Sequence, residues 1–241
     1  MSKISVNAKV IATTLISCLK IIWFASRDKE RAFKVTRDEW GPRMLTIANS
    51  SLSVEGQERV DFSQPHIFVM NHQSLIDIPV SFVALPVPLC FVAKAELSKI
   101  PFFGRAMRSL GMIFVDRSNP QRAHESLKSG GALIRAGVNI MAYPEGTRSK
   151  DGVIKPFKRG VFQLALEAKV PIVPMAIDGA LTVLNPKGTE VQPGHIRVRI
   201  GQPIEVRDSQ RSPEEDEVEL QKLRSEVREA VIKLHHSLIH E

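Results

Sequence analysis

The chain has 241 residues, 43% hydrophobic and 24% charged, a globular composition long enough for one substantial core, and its two cysteines exclude a disulfide framework and fit a reducing compartment. The formal net charge is +7, yet residues 205–241 hold ten acidic and six basic side chains, so the first 204 residues carry +11. Such a basic body attracts nucleic acid, anionic lipid or a phosphorylated small molecule; a single tyrosine, dispersed Lys and Arg, and no ribonucleoprotein-type or zinc-finger pattern set nucleic acid aside.

The first element is "NAKVIATTLISCLKIIWFASRDK". Its longest uncharged run, Val10 to Leu19, falls short of the roughly 20 apolar residues of a membrane span. On a helix, Lys9, Thr13, Ser17, Lys20 and Arg27 fall along one stripe, while Ile11, Leu15, Cys18 and Ile22, with Ile16, Leu19 and Trp23, cover the rest. That pattern predicts a helix lying at a membrane surface. A first helix packed on the domain and an export signal are the alternatives; charged residues follow without an A-x-A-like site, which weakens the latter. A second helical piece is expected through Asp38 and Trp40 to Ala48, with Gly41-Pro42 as a start or kink. Residues 1–50 therefore read as a helical membrane-association element, and 51–241 as the main domain.

"LSVEGQERV" reads as a short strand and turn. From His66 onward the apolar runs "HIFVM", "PLCFVAK", "MIFV", "NIMAYP" and "VPIVPMAI" alternate with helical stretches and Gly or Pro punctuation. This predicts an α/β fold with a central, largely parallel or mixed sheet flanked by helices. "SKIPFFGRAMRSLG" and "NPQRAHESLKSGGALIRAG" read as helices, each closing near a glycine, with Gly130-Gly131 weakening the signal for an uninterrupted second one. "HIRVRIGQPIEV" alternates as a strand, and Ser212, Pro213 and Glu215 mark the start of a last amphipathic helix ending near Leu238, a scaffold element.

Chemistry in such sheets sits beyond the carboxyl ends of the strands. "FVMNHQSLIDIP" places His72 five residues before Asp77 at one of those ends. On a regular helix the two would lie about 140° apart, so a direct pair requires a bend between strand and helix. One reading is a base with its orienting carboxylate, Asp77 being favoured near a positive helix start. The other is an ordinary capping pattern, Ser74 with Asp77, preceded by a histidine that satisfies a carbonyl. "AYPEGTRSKDG" brings Glu145, Gly146, Thr147 and Arg148 to a second strand end, with Arg suited to a bidentate phosphate grip, unless Pro144 to Gly146 is simply a turn. Arg117 in "GMIFVDR" and Lys94 in "VAKAEL" follow further strand-like runs, with Asp116 able to pair with Arg117 or cap the next segment. No metal-ligand spacing appears among the histidines.

In order and spacing these segments resemble the glycerolipid acyltransferases represented by bacterial 1-acyl-sn-glycerol-3-phosphate acyltransferase. The resemblance rests on Asn71, His72, Ser74 and Asp77; on Gly111, Ile113, Phe114 and Arg117; on Pro144 through Ser149; and on "VPIVPMAI" around Pro171 and Pro174, spanning residues 66–177. Tyr143 stands where that family usually has phenylalanine. The resemblance implies transfer of a fatty-acyl group from acyl-coenzyme A or acyl-carrier protein to the sn-2 hydroxyl of lysophosphatidic acid, giving phosphatidic acid. His72 would act as general base and Asp77 would orient it. Arg117, Arg148 and Lys94 would hold the acceptor phosphate, Glu145 and Thr147 would organise the acceptor or the loop, and backbone donors near Gly146 would face the oxyanion. Ser74 reads as a cap rather than a nucleophile. The donor is a substrate, so no tightly bound cofactor is implied. The expected partners are membrane lipids, and the expected location is the cytoplasmic face of the cell membrane, peripheral or monotopic. Another acceptor such as a lyso-ornithine lipid, a thioester hydrolase, and a non-catalytic phospholipid-binding protein are the alternatives.

Overall fold

The computed structural model describes residues 3–116, 118, 120–185, 190–206 and 213–240. At its centre lies a seven-stranded sheet of order β1-β7-β6-β2-β5-β3-β4. The strands are β1 (Ser50–Glu55), β2 (Ile67–Met70), β3 (Leu89–Lys94), β4 (Ile113–Val115), β5 (Asn139–Ala142), β6 (Ile172–Asp178) and β7 (Gly194–Ile200). Every residue of β2 and β5 is buried, which is why these segments read as unbroken apolar runs. β2 pairs in parallel with β5 and β6, and β3 with β5 and β4, so five neighbouring strands end along one edge. β7 runs antiparallel to β6 and carries β1 parallel to itself, which makes the sheet mixed, as the sequence allowed.

Helices cover both faces: α4 (Asp77–Ala84), α5 (Phe103–Ser109), α6 (Pro120–Arg135), α7 (Gly160–Ala168), the short α8 (Ala180–Val183) and α9 (Pro213–Ile239). α7 is additional to the elements expected from the sequence. α6 is helical as expected and runs unbroken through Gly130-Gly131, the pair that weakened the sequence signal. A Cβ on Gly130 would come 2.6 Å from Ile113 Cδ1, so the glycine serves close packing of helix on strand. α9 packs on β6, β7 and α7, and its first turn carries Glu214, Glu215 and Asp216; Ser212, its expected cap, lies outside the described residues.

Before the sheet come α1 (Lys3–Ala25), α2 (Lys29–Lys34), a π-helical turn at Val35–Trp40 and α3 (Gly41–Ile47). Of the start or kink expected at Gly41-Pro42, the start is what forms: α3 begins at Gly41, directly after the π turn, with Pro42 in its first turn. A Cβ on Gly41 would sit 2.7 Å from Val83 Cγ2, which fixes glycine where α3 meets α4. α1 packs along α2, α5 and the π turn.

Two expectations about α1 change. The helix continues for 23 residues, and its stretch Ser5–Ala25 is long and apolar enough, by length and composition, to cross a membrane despite Lys9 and Lys20. Ser17, expected on the polar stripe, is instead buried against the domain with Cys18 and Ile21, and nearby Thr14 accepts a 3.1 Å bond from Trp40 Nε1. Outward face Ile11 (60% exposed), Ile16 (57%), Leu19 (53%) and Trp23 (55%). Periodicity separates the faces of a helix; which face the domain covers is set by packing, here against α2, α5 and the π turn.

Candidate active site

β2 ends at Met70, and its neighbour β6 continues past it. Asn71 bridges the gap with its buried side chain: its amide donates to Ile177 O at 3.0 Å and accepts from Ile177 N at 2.8 Å. This replaces one step of ladder pairing with a side chain and lets the main chain turn away at His72 without leaving β6 unpaired. α4 then begins only at Asp77, so His72 and Asp77 do not share a helix.

In that bend His72 Nδ1 lies 2.7 Å from Asp77 Oδ2. The same oxygen accepts the backbone N–H groups of Gln73 (2.7 Å) and Ser74 (2.8 Å). Asp77 is fully buried; these three donors serve Oδ2, while Oδ1 is buried without a partner among the described residues. The carboxylate thus reaches back over the start of its own helix. The cap expected from Ser74 is not formed in that sense: the Ser74 hydroxyl donates to Leu184 O at 2.6 Å and receives only a long 3.4 Å bond from Ile76 N.

The PEGTR loop holds the other side of His72. Glu145 Oε1 accepts the His72 N–H at 2.7 Å, Glu145 Oε2 accepts the Lys155 N–H at 3.0 Å, and the Ser149 N–H donates to His72 O at 2.7 Å. Of the two roles read for Glu145, acceptor or loop, its buried carboxylate therefore serves the loop. Burial raises the Glu145 carboxyl above its ordinary value, and the bonds from Lys155 and His72 partly offset this. Gly146, at φ 73°, makes the turn, and its N–H donates to Tyr143 O at 3.0 Å. That commitment occupies the N–H of Gly146 itself, one of the backbone donors in the neighbourhood expected to face the oxyanion.

Beneath the imidazole lies the Tyr143 ring, stacked at 4.1 Å between centroids and 13° between planes. Its hydroxyl meets Ser81 Oγ at 2.9 Å, and Ser81 Oγ donates to Asp77 O at 2.9 Å, so one chain ties the ring to the helix that carries the carboxylate. Burial first, and the Asp77 charge second, push the Tyr143 phenol well above its ordinary value and keep it neutral. Tyr143 and Ser81 were not singled out as site residues by the sequence; the tyrosine's position just after β5 was the available signal.

Nδ1 facing Asp77 leaves His72 Nε2 as the outward nitrogen, on a side chain 14% exposed. A carboxylate behind Nδ1 fixes the tautomer that presents a lone pair at Nε2, the arrangement of a general base. Arg148 is half-buried on the loop clamped to His72, and its guanidinium makes no hydrogen bond or ion pair with the described residues. Thr147 is exposed beside it. Lys94, the last residue of β3, is exposed and pairs with Glu96 at 3.0 Å. Arg117 lies outside the described residues, while Asp116 caps Ser118 through N (3.0 Å) and Oγ (2.5 Å). Neither cysteine offers a nucleophile: Cys18 and Cys90 are buried, and desolvation pushes the Cys90 thiol up to about 12.

Residues 51–178 match the acyltransferase family model. The chain is 34% identical over 170 residues to a 1-acyl-sn-glycerol-3-phosphate acyltransferase of Cocos nucifera, covering 70% of this chain and 54% of that protein. It is 34% identical over 154 residues to the human 1-acyl-sn-glycerol-3-phosphate acyltransferase alpha, covering 64% and 54% respectively. The chain thus spans about half the length of these curated relatives. Over nearly the whole chain it is similar to the crystal structure of the 1-acyl-sn-glycerophosphate acyltransferase PlsC from Thermotoga maritima. That likeness has a TM-score of 0.70 at 28% identity and covers 95% of this chain and 98% of the other.

Proposed function

This chain belongs to the acyltransferase family, and we propose that it acylates a lysolipid. The acyl group passes from acyl-coenzyme A or acyl-carrier protein to the sn-2 hydroxyl of 1-acyl-sn-glycerol-3-phosphate, and the product is phosphatidic acid. The names and reaction class of the similar proteins support this choice of acceptor. The observation that carries the chemistry is the outward Nε2 of His72, backed by Asp77 at 2.7 Å, with Arg148 unpaired among the described residues on the loop clamped to His72.

In this reading His72 Nε2 takes the proton of the acceptor hydroxyl as its oxygen attacks the thioester carbonyl. A C–O bond forms, the C–S bond breaks, and the departing thiolate receives the proton from the imidazolium. Asp77 holds the ring and stabilises its charged form. Transfer is direct, because the Ser74 hydroxyl is committed to Leu184 O and is fully buried. Arg148, Lys94 and Arg117 bind the acceptor phosphate, with Thr147 at the same mouth.

α1 brings the enzyme to its substrate. Its sideways packing on α2, α5 and the π turn favours a helix lying in one leaflet on the cytoplasmic face over one that crosses, with the outward Ile and Leu residues in lipid and Trp23 at the headgroups. A groove of about 700 Å³ lined by Leu19, Ile22, Trp23 and Phe24, with Lys20, Arg31 and Glu39, opens on the same helices.

The deciding experiment offers lysophosphatidic acid, lyso-ornithine lipid and other lysolipids with each thioester donor. Phosphatidic acid from lysophosphatidic acid is the expected product. Consumption of donor without any diacyl lipid would identify a thioesterase instead.

A further inference from the structure

Among the described residues eleven large apolar side chains are exposed, and their distribution is uneven. Five lie on α1 and two on α9; the other four are Leu75, Ile100, Phe102 and Val153, exposed by 54, 46, 53 and 63%. All four follow the carboxyl ends of β2, β3 and β5, which are consecutive in the sheet. Neighbouring strands lie about 4.8 Å apart, so these segments emerge side by side at the edge that carries His72. Single exposed apolar residues scattered over a surface are ordinary; four that all follow the carboxyl ends of three consecutive strands are not.

The Ile100–Phe102 segment is also strained. Phe102 has φ 60° and ψ −51°, a conformation that a bulky residue adopts at a cost. Gly104 locks the turn, since a Cβ there would stand 2.2 Å from Ser98 O. The strain thus maintains an exposed aromatic knuckle, and the helix that follows it, α5, packs along α1, so the knuckle adjoins the N-terminal helix. Exposed cations share these segments: Lys94, Lys99, Arg105, Lys150 and Lys158, against the exposed acids Glu96 and Asp151.

We propose that the catalytic edge is itself a docking surface for an anionic bilayer, distinct from α1. Ile100, Phe102, Val153 and Leu75 enter the boundary between headgroups and acyl chains, and the surrounding cations meet lipid phosphates. The inference rests on the lysolipid reading above, and it explains how a membrane-embedded acceptor reaches His72 without being extracted into water.

The test is the full chain carrying Ile100→Ser, Phe102→Ser and Val153→Ser, with α1 untouched. Flotation with phosphatidylglycerol-containing vesicles should show partitioning weakened about tenfold or more relative to wild type. Turnover of lysophosphatidic acid embedded in those vesicles should fall in step, while turnover of a short-chain acceptor dissolved below its micelle concentration stays at the wild-type level. Unchanged partitioning with an unchanged ratio of the two turnovers would overturn the proposal. Should the triple variant lose its circular-dichroism signature, Phe102→Cys alone, labelled with an environment-sensitive fluorophore while Cys18 and Cys90 stay buried, replaces it. A blue shift on vesicle binding supports docking, and a water-like spectrum in the bound protein refutes it. Failure of the lysolipid reading shows differently: wild type then acylates neither acceptor, whereas the fluorophore still reports on docking.

Discussion

Around His72 polar side chains are buried, and along the outer face of α1 apolar ones are exposed. Asn71, Gln73, Ser74, Asp77, Glu145 and Ser149 all lie within 3% of full burial; the side chains of Asn71, Ser74, Asp77 and Glu145 bond backbone that carries or surrounds the histidine, and among the described residues only Gln73 Oε1 and Asp77 Oδ1 are buried side-chain atoms without a partner. A buried polar group costs stability unless it is bonded, so this corner is stable in very few geometries, and it places the imidazole before any substrate arrives. α1 has the opposite problem: Ile11, Ile16, Leu19 and Trp23 meet water and gain from any apolar surface that replaces it. One region is rigid because of what it excludes, and the other awaits a partner.

The comparison breaks most visibly at the corner itself. His72→Ala should lower turnover by about 10²–10⁴-fold, the usual contribution of a general base, with the fold retained. Steady-state kinetics beside circular dichroism measures this; near-wild-type turnover would reduce the corner to a structural feature. Asp77→Ala should lose comparable activity and also stability, since it orphans the Gln73 and Ser74 N–H groups. On the α1 side, Ile11, Ile16, Leu19 and Trp23 changed together to Ser should weaken vesicle partitioning by about two orders of magnitude without unfolding the protein. Deleting residues 1–50 is a poorer test, because Cys18, Ile21, Phe33 and Val35 belong to the continuous core.

The two regions were unequally legible in the sequence. The strands that form the catalytic edge announced themselves as buried apolar runs, and the five-residue spacing of His72 and Asp77 already required the bend that brings Nδ1 to 2.7 Å from the carboxylate. Ser74 misled because a capping pattern is local, whereas its partner, Leu184 O, comes from a distant segment. Glu145 was ambiguous for the same reason: nothing near it in the chain tells that the His72 N–H is its partner. In α1 the faces were periodic but their assignment was not, since Ser17 looks outward by chemistry and inward by packing.

Smaller effects sharpen the boundary of the corner. Glu145→Ala strands the N–H groups of His72 and Lys155, at about 1–3 kcal/mol for each buried donor left unpaired, and urea denaturation should show the loss together with reduced turnover. One step further out, at the end of β6, His235 at 3.7 Å and Arg197 at 2.9 Å hold the Asp178 carboxyl at about 2, below its ordinary value of 3.8. A carboxyl lowered by folding contributes stability that is present above its unfolded value and lost as pH falls through the folded one. Asp178→Asn should therefore destabilise by about 2 kcal/mol near neutrality, with the difference from wild type vanishing as pH drops from about 4 toward 2. A difference that persists at the acid end would mean that packing, not charge, holds this site.

The smallest effect distinguishes the two contacts of Tyr143. Its ring face lies under the imidazole, and its hydroxyl reaches Ser81. Tyr143→Phe keeps the stack and removes only the phenol bond; Ser81 Oγ still donates to Asp77 O, so turnover should stay within a few-fold of wild type. Tyr143→Leu removes the aromatic face. A stacked aromatic pair is worth about 0.5–1.5 kcal/mol beyond its buried area, so kcat should fall by up to about tenfold. Because Asp77 and the clamped backbone still hold the histidine, the loss should appear in kcat with KM for the acceptor unchanged. If Phe and Leu at position 143 are equally active, the stack is packing alone, and the rigidity of the corner resides entirely in its hydrogen bonds.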